Sequence, residues 1–360
     1  MNPFAAAAPA NPFAAATPAA GAFGAAPAFG GAAAQPQAAT QGWVAGAGQE
    51  RFVVGSGHKG SVASLSWSPT VDNPQEALCA ITDWDGDVTV LKLSFQQTAQ
   101  GKFAVAGAAP ACPNLSMQAG PMLCSAWTKD HKVALGGGDG QLRLWELAKG
   151  NGAESVTRVG THDAGIKAIL ALDETAGWGA TGLVTGSWDQ SVALWDHRTG
   201  SGQPAARWRV GCKVFGLDGS APYILVAGSE RRILVYDIRK PGEPLDAPAG
   251  YSPCRTQTRA ACFIPPAAQG GQPKGFAAGS VDGHVGACLY SPATPQPGGA
   301  PLQRVIPAAA TPGAGVFPVN CVSMVPTNPG QEAKYLFAAA GDGRFAVYDI
   351  SEQPPASSFF

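Results

Sequence analysis

A two-part pattern occurs six times between residues 50 and 350 of this 360-residue chain. Each copy has a short apolar stretch and, further along, an acidic turn followed by alternating apolar and polar residues, as at Leu142 and Leu144. Strict alternation of this kind predicts β-strands. The acids at the turns are 41 to 60 residues apart: Asp85, Asp139, Asp189, Glu230, Asp282 and Asp342.

Units of this length that contain about four short strands are typical of the blades of a β-propeller. The abundance of glycine (47) and proline (31) fits many short strands joined by tight turns. We therefore predict an all-β protein in which residues 50–360 form a propeller with six recognisable blades. Residues 1–49 form a separate segment.

The third copy, TGSWDQSVALWDHR, contains Trp-Asp twice. Asp189 falls in the turn between two strands, where a carboxylate accepts backbone N–H bonds. Trp195 is predicted to pack its ring between blades. His162, Asp189 and Trp195 are predicted to share a buried hydrogen-bond network, with a hydroxyl from Thr185 or Ser187. The residues predicted to brace the turns are His58, Asp85, Asp139, His162, Asp189, Trp195, Asp282 and Asp342.

A set of serine, histidine and aspartate normally suggests nucleophilic catalysis. Here every member recurs at a turn position of the repeat, so we interpret the set as structural. Residues 55–60, GSGHKG, match the glycine pattern of dinucleotide sites, but they precede a strand, which indicates a turn. We predict a non-enzymatic protein with no catalytic residue, no metal site and no cofactor.

Charge and cysteine content limit the class of protein. The eight cysteines include no Cys-x-x-Cys pair, which favours free thiols in a reducing compartment over disulfides. Only 14% of the residues are charged and the net charge is −1, so attraction to nucleic acid or to a membrane requires a local patch. No apolar run is long enough to cross a bilayer. These features predict a soluble intracellular protein.

Residues 1–49 carry no charged side chain and consist mostly of alanine, proline and glycine, with four isolated phenylalanines. Proline breaks any long helix and four phenylalanines cannot build a core, so this segment is predicted to be disordered. Two interpretations stay open. The segment is either a cohesive tail like the Phe-Gly spacers of nuclear-pore proteins or a low-complexity linker.

Basic residues are concentrated between residues 207 and 259, where nine basic and five acidic residues give a local net charge of +4. In the fourth copy, Arg231 and Arg232 occupy the turn where neighbouring copies have Asp-Gly. Such a turn lies on the rim of a propeller, so the pair can form an electropositive patch for an acidic peptide or a phosphate backbone. A solvated basic edge without a partner is the alternative. No aromatic set with the spacing of an RNA-stacking site accompanies the arginines.

Seven stretches resemble successive blades of a known family: HDAGIKAI, TGSWDQSVALWDHR, PYILVAGSERRILVYDIR, QTRAACFIPP, PKGFAAGSVDGHVG, VNCVSMVPTNPG and AAGDGRFAVYDI. The family is the nuclear-pore mRNA export factor, a seven-bladed WD-repeat propeller, and the resemblance covers roughly residues 50–350. It implies a scaffold that binds the GLEBS segment of an FG nucleoporin, a short peptide motif, and that contacts single-stranded RNA and assists mRNA export. The implied location is the nucleus at the nuclear pore or envelope, with the cytoplasm as a second location.

The side chains predicted to contact such partners are Lys167, Arg231, Arg232, Arg255, Arg259, His284, Arg344 and Tyr348. The chain is also similar to a sibling family, the spindle-checkpoint propellers that bind GLEBS segments of checkpoint kinases. SWDQSVALWDHRTG fits both families equally well. Two features favour the export factors: the isolated phenylalanines of the N-terminal segment and the long stretch QGGQPKGFAAGS before the fifth turn. Mitotic proteins are therefore the alternative partners.

Several departures from the export-factor pattern affect these expectations. The fifth turn usually carries an arginine that meets a GLEBS carboxylate, whereas His284 stands here and predicts a weaker, pH-dependent contact. The basic, aromatic strand that follows is replaced by LQRVIPAAAT, which leaves Arg304 alone, and Tyr348 replaces a tryptophan. SEQPPASSFF ends the chain where the inner strands of a seventh blade are expected. We therefore predict a truncated last blade with exposed strand edges, to which residues 50–54 can add an outer strand.

Overall fold

The computed structural model describes residues 44–46, 49–51, 60–69, 75–97, 103–172, 182–200, 202–245, 250–266, 271–289, 302–305, 317–325, 333–341 and 345–350. The chain divides into two units, residues 1–42 and 43–360, and every described residue belongs to the second. Most of the segment predicted to be disordered lies outside the described residues. Strands β1 (Val44–Gly46) and β2 (Gln49–Arg51) form an antiparallel hairpin, which pairs Arg51 with Val44.

Six antiparallel sheets follow in chain order, so the prediction of an all-β propeller with six recognisable blades is confirmed. Blade 1 contains β3 (Val62–Trp67), β4 (Glu76–Asp83), β5 (Asp87–Gln97), β6 (Phe103–Pro110) and β7 (Leu115–Ser116). Blade 2 contains β8 (Met122–Trp127), β9 (Val133–Gly137), β10 (Gln141–Trp145) and β11 (Val156–Thr161). Blade 3 contains β12 (Ile166–Leu172), β13 (Gly182–Ser187), β14 (Ser191–Trp195) and β15 (Ala206–Arg209).

The second half of the propeller repeats the same meander. Blade 4 contains β16 (Val214–Ser220), β17 (Tyr223–Gly228), β18 (Arg232–Asp237) and β19 (Gly250–Tyr251). Blade 5 contains β20 (Thr258–Ile264), β21 (Gly275–Ser280), β22 (His284–Leu289) and β23 (Leu302–Val305). Blade 6 has three described strands: β24 (Val319–Met324), β25 (Tyr335–Ala340) and β26 (Phe345–Asp349).

The hydrophobic core lies between the blades. The first strands of successive blades pack against one another from blade 1 to blade 6, which places these strands nearest the propeller axis. The alternation seen in the sequence directs one set of apolar side chains to each neighbouring blade. The cluster between blades 2 and 3 shows the arrangement and contains Cys124, Ala134, Leu142, Leu144, Val159, Ile166, Leu183, Ala193 and Trp195.

The first and last blades expose more apolar side chains than the interior ones. Leu65 and Trp67 on β3 are 54% and 53% exposed, and Phe345 and Val347 on β26 are 69% and 54% exposed. Among the described strands, no packing like that between successive blades joins blade 6 to blade 1. Blades 1 and 6 therefore each present to solvent apolar side chains of the kind that interior blades bury.

A β-bulge interrupts the first strand of every blade close to its start. The pairing with the second strand skips one residue at each bulge: Ala63, Leu123, Lys167, Phe215, Arg259 and Asn320. Each bulge lies beside the turn that joins the second and third strands of its blade. We call the edge of the propeller formed by these turns and bulges the upper face. A bulge redirects the side chain of the extra residue. The six first strands can therefore each present a different type of side chain at the upper face.

Helical structure is confined to short turns. The described residues contain no α-helix, and three 3₁₀ turns occur at Leu147–Lys149, Ala153–Ser155 and Ser229–Arg231. None of the helical segments in this part of the chain is long and apolar enough to cross a membrane. All eight cysteines are free. Burial raises the pKa of the Cys124 thiol to about 12, so this thiol stays protonated and unreactive.

Asp218 connects blade 4 to blade 5. Its carboxylate, on β16, accepts a 2.7 Å hydrogen bond from the backbone N–H of Phe263 on β20. The first strand of a blade has a free edge, so N–H groups on that edge need acceptors from outside their own sheet. Burial raises the pKa of Asp218 to about 6, although N–H bonds from Phe263 and Gly219 oppose this shift. At neutral pH most of the Asp218 carboxyl is ionised, and this desolvated charge lowers the stability of the folded chain.

Replacing Asp218 with asparagine should raise the free energy of unfolding by about 1–2 kcal/mol near pH 7.5. A carboxyl whose pKa is higher in the folded chain than in the unfolded chain binds protons preferentially in the folded chain. Its contribution to stability is therefore lost as the pH rises through about 6. Asparagine keeps an acceptor oxygen for Phe263 but does not titrate. Urea titrations of both proteins should show an advantage for the variant that disappears near pH 4; an advantage independent of pH would contradict this account.

Candidate functional site

The structure brings four predicted network residues of blade 3 together: His162, Thr185, Asp189 and Trp195. The Trp195 Nε1–H donates to Thr185 Oγ1 over 2.7 Å. Thr185 Oγ1 lies 2.7 Å from His162 Nε2, and His162 Nδ1 lies 2.9 Å from Asp189 Oδ2. Thr185 is thus the hydroxyl that links tryptophan to histidine. Ser187 instead accepts the backbone N–H of Asp189 over 3.1 Å.

These contacts fix the neutral form of His162. An ionised carboxylate only accepts hydrogen bonds, so Nδ1 carries the proton toward Asp189 and Nε2 accepts from the Thr185 hydroxyl. Burial lowers the pKa of His162, and the charge of Arg207 adds to this effect against the opposing charge of Asp189. With one proton, the imidazole satisfies both neighbours, and a second proton would leave Nε2–H facing a hydroxyl that already accepts from Trp195.

Arg207, on β15, completes the network, although sequence reasoning placed it only in the basic cluster. Its Nη2 donates to Asp189 Oδ2, and its Nε donates to Ser191 Oγ over 3.1 Å. Burial opposes ionisation of Asp189, but hydrogen bonds from Ser191, from the Asp163 backbone N–H and from His162 hold the pKa of Asp189 well below its usual range. Asp189 is therefore an ionised acceptor at the centre of five donor groups.

The network is closed to substrates. Thr185 and Ser187 are fully buried, and the side chain of Asp189 is 7% exposed. Nucleophilic catalysis requires an accessible oxygen beside a base that is free to take its proton. Here the hydroxyl of Thr185 is buried and both ring nitrogens of His162 already have partners. The arrangement can stabilise a turn and a blade junction, and it offers no reacting atom to solvent.

The acids of the other turns have different surroundings. Asp139 forms an ion pair with Arg143 four residues later. Asp85 is exposed, and the turn of blade 1 is instead stabilised by Asp83, whose Oδ1 accepts the backbone N–H groups of Asp85 and Asp87 over 3.0 and 2.8 Å. Sequence reasoning missed Asp83 because both acids stand at the same turn. The position of Asp83 could have indicated its role, because Asp83 ends the second strand of blade 1 just as Ser187 ends the second strand of blade 3.

In blade 5, Asp282 accepts a hydrogen bond from the Ser280 hydroxyl and lies 3.0 Å from His284 Nδ1. Burial opposes ionisation of Asp282, but hydrogen bonds from Ser280 and His284 help to lower its pKa to about 2. His284 is 43% exposed at its side chain, so it can also face a partner. Three further predicted residues lie outside the described part of the chain: His58, Asp342 and Arg344.

Two predicted partner-binding residues occupy bulges of the upper face. Lys167 Nζ donates to the Leu123 carbonyl over 3.3 Å, and Arg259 Nε donates to Asn320 Oδ1 over 2.9 Å. Burial lowers the pKa of Lys167, and the nearby charge of Arg259 contributes in the same direction. Among the ion pairs of the described residues, neither cation has a carboxylate partner. The two side chains therefore form a positively charged pair that no carboxylate of the described residues neutralises.

The remaining candidates lie in different places. Arg231 belongs to the turn of blade 4, whereas Arg232, also predicted in that turn, is the first residue of β18. Arg255 is exposed in the segment between β19 and β20. Tyr348 is partly buried against the core cluster between blades 5 and 6. Exposed apolar side chains also occur on the upper face: Trp84 (49% exposed), Val281 (38%) and Phe317 (43%). The upper face thus combines unneutralised cations with exposed apolar groups.

Comparison with known proteins agrees with this geometry. The family model "WD domain, G-beta repeat" matches residues 154–196, which contain the network of blade 3 up to Asp196. The chain is a WD-repeat β-propeller. The chain is also similar to a solved structure, "Structure of U3-55K", and this similarity agrees with the propeller fold. The comparison has a TM-score of 0.55 and 16% sequence identity, and it covers 81% of this chain and 78% of the other.

Two curated relatives extend the comparison of this WD-repeat propeller. It is 29% identical to "mRNA export factor GLE2" of Chaetomium thermophilum over 64% of this chain and 57% of the relative. It is 32% identical to "Mitotic checkpoint protein bub-3" of Caenorhabditis elegans over 46% of this chain and 43% of the relative. The matched part therefore spans about half the length of these relatives. The expected resemblance to mRNA export factors is confirmed, at modest identity, and the resemblance to checkpoint proteins accompanies it.

Proposed function

We propose that this propeller is a non-enzymatic scaffold of the nuclear pore that binds the GLEBS segment of an FG nucleoporin and single-stranded RNA and assists mRNA export from the nucleus. The observation that carries the proposal is the pair of unneutralised cations, Lys167 and Arg259, on an upper face that also exposes apolar side chains. A peptide that contributes carboxylates and apolar side chains fits such a surface.

The cations are suited to receive acidic side chains. A buried ammonium without a counter-ion is unfavourable, so a carboxylate that approaches Lys167 restores the interaction lost on burial. Arg259 is exposed and holds Asn320 through Nε, which leaves its terminal nitrogens for a carboxylate. Val281 and Phe317 lie beside the turn of blade 5, where His284 would form a further polar contact.

The partner assignment is tested with a synthetic GLEBS peptide and isothermal titration calorimetry. Arg259→Gln should weaken binding about tenfold, because a charge-assisted hydrogen bond contributes about 1.5–3 kcal/mol. The matched control is Arg239→Gln, which removes an exposed arginine that is already paired with Asp237 beyond the third strand of blade 4. Its affinity should equal that of the unchanged protein. Failure of the unchanged protein to bind the peptide, or equal losses in both variants, would contradict the proposal.

A second function is favoured by the resemblance to checkpoint relatives. Under this alternative, the same upper face binds GLEBS segments of checkpoint kinases, and peptide binding alone cannot distinguish the two partners. A fluorescently tagged copy followed through mitosis separates them. The export role predicts signal at the nuclear rim, with the cytoplasm as a second location, whereas the checkpoint role predicts enrichment at kinetochores.

A further inference from the structure

Two arginines surround one exposed tyrosine on blade 4. Tyr251, on β19, is 67% exposed. The guanidinium carbon of Arg231 lies 6.0 Å from the centre of the Tyr251 ring. Arg232 stands directly opposite Tyr251 in the pairing of β18 with β19, so their side chains share one side of the sheet. We call Arg231, Arg232 and Tyr251 the Arg–Tyr cluster.

Arg231 occupies a turn position that holds Gln190 in blade 3, also at a positive φ, and glycine in three other blades. Its φ is +64°, and the residues at the same place in blades 1, 2 and 5 are Gly86, Gly140 and Gly283. Side chains with a Cβ are disfavoured in this left-handed region. Glu230, the preceding residue, also has a positive φ, of +60°. Backbone strain of this kind is concentrated at functional sites, which makes an arginine at a glycine position informative.

Within the described part of the chain, no carboxylate neutralises the arginines of the cluster. Arg231 Nη2 donates to the Ser252 carbonyl over 3.2 Å, and its Nε is buried without a hydrogen-bond partner. No ion pair with a carboxylate involves Arg231 or Arg232 among the described residues. Arg239 in the same blade, by contrast, binds both carboxylate oxygens of Asp237. The cluster therefore keeps its positive charge available for an anion.

We propose that the Arg–Tyr cluster is a stacking site for a base of single-stranded RNA. The base would lie on the exposed face of Tyr251, and Arg232 would bind the adjacent phosphate. This inference rests on the RNA-binding part of the proposed function and locates it on blade 4. Aromatic rings that carry bases and arginines that neutralise the backbone are the two components of sequence-tolerant single-strand binding.

The aromatic ring favours RNA over an acidic peptide. Carboxylates need only the arginines, whereas a flat, largely exposed ring supported by a guanidinium matches the π-face of a base. Arg231 can both support the tyrosine ring and attract the RNA backbone, because its guanidinium lies close to the ring and is not paired with a carboxylate. An acidic peptide that displaces RNA from the cluster at equal affinity would therefore overturn the assignment.

The first test uses Arg231→Gly in the full chain, with fluorescence anisotropy of a short fluorescein-labelled oligoadenylate RNA. Glycine suits the left-handed turn, as in blades 1, 2 and 5, so the variant should unfold at the same or a higher urea concentration than the unchanged protein. Its affinity for RNA should nevertheless fall about fivefold to tenfold, and the salt dependence of binding should weaken. A purely structural arginine predicts the reverse: lower stability and unchanged affinity.

The second test separates stacking from charge. Tyr251→Ala should weaken RNA binding about tenfold while leaving the net charge unchanged. The matched control is Tyr335→Ala, because Tyr335 is also exposed on a strand, at 46%, but belongs to blade 6. That variant should bind RNA like the unchanged protein. Equal losses in the two tyrosine variants would show that the effect does not come from the cluster.

The outcomes distinguish this inference from the proposed function. If the unchanged protein binds RNA and neither Arg231→Gly nor Tyr251→Ala weakens binding, the stacking site is wrong while RNA binding survives. If the unchanged protein does not bind RNA, the RNA part of the proposed function fails and the site fails with it. GLEBS peptide binding is measured separately and does not depend on either result.

Discussion

Replacing Asp189 with alanine is expected to lower the free energy of unfolding by about 3–5 kcal/mol. The side chain of Asp189 is 7% exposed and accepts hydrogen bonds from Arg207, His162 and Ser191. Alanine would leave the Arg207 guanidinium without its buried counter-ion and the His162 Nδ1–H without an acceptor. Removing one member of a buried charged network has a large effect because a buried partner such as His162 remains desolvated. Urea denaturation followed by tryptophan fluorescence measures the loss.

The second Trp-Asp pair of the same repeat provides the control. Asp196 follows Trp195 as Asp189 follows Trp188, but its carboxylate lies at the surface and pairs with Arg198 two residues later. Asp196→Ala should therefore reduce the free energy of unfolding by only about 0.5–1 kcal/mol, the usual range for an exposed pair. A similar loss in both variants would contradict a special role for the buried network. The two Trp-Asp pairs thus have the same sequence, but their aspartates contribute very differently to the free energy of unfolding.

The sequence predicted those parts of the molecule that depend on local pattern. Alternating apolar residues predicted the strands, and the recurrence of an acid at each turn predicted the blades, because both signals extend over only a few residues. Asp189, His162 and Trp195 could be connected in advance because each stands at a recurring position of the repeat. The hydroxyl could not be chosen between Thr185 and Ser187, since both stand in the same strand.

Residues brought together by pairing between strands or blades were not predictable. Arg207 reaches Asp189 only because β15 pairs with β14 in one register, and no local signal in the sequence sets that register. Tyr251 lies 20 residues after Arg231, and a strand pair places them in contact. Asp218 and Phe263 meet across a blade boundary. Where a contact depends on tertiary register, residue type and spacing alone do not identify the partners.

Substitution of Gly160 by alanine is expected to cost about 2–3 kcal/mol, because overpacking a rigid core forces neighbouring groups apart. A Cβ at Gly160, on β11 of blade 2, would overlap the six-membered ring of Trp195 in blade 3. The ring cannot move aside easily, since Trp195 is 1% exposed and its Nε1–H is bound to Thr185. Gly160 therefore makes room for the tryptophan that joins the two blades. Urea denaturation measures the loss.

Two further variants test whether overlap with Trp195 causes the destabilisation by Gly160→Ala. Gly216→Ala is the control, because its Cβ would meet its nearest neighbours at an ordinary 3.8 Å, and it should change the free energy of unfolding by less than about 1 kcal/mol. Trp195→Leu removes the overlapping ring and will itself destabilise the protein. In that background Gly160→Ala should have little additional effect, a coupling of about 2 kcal/mol in the double-mutant cycle. Additive losses would mean that the alanine acts on the backbone of β11 instead of on the blade junction.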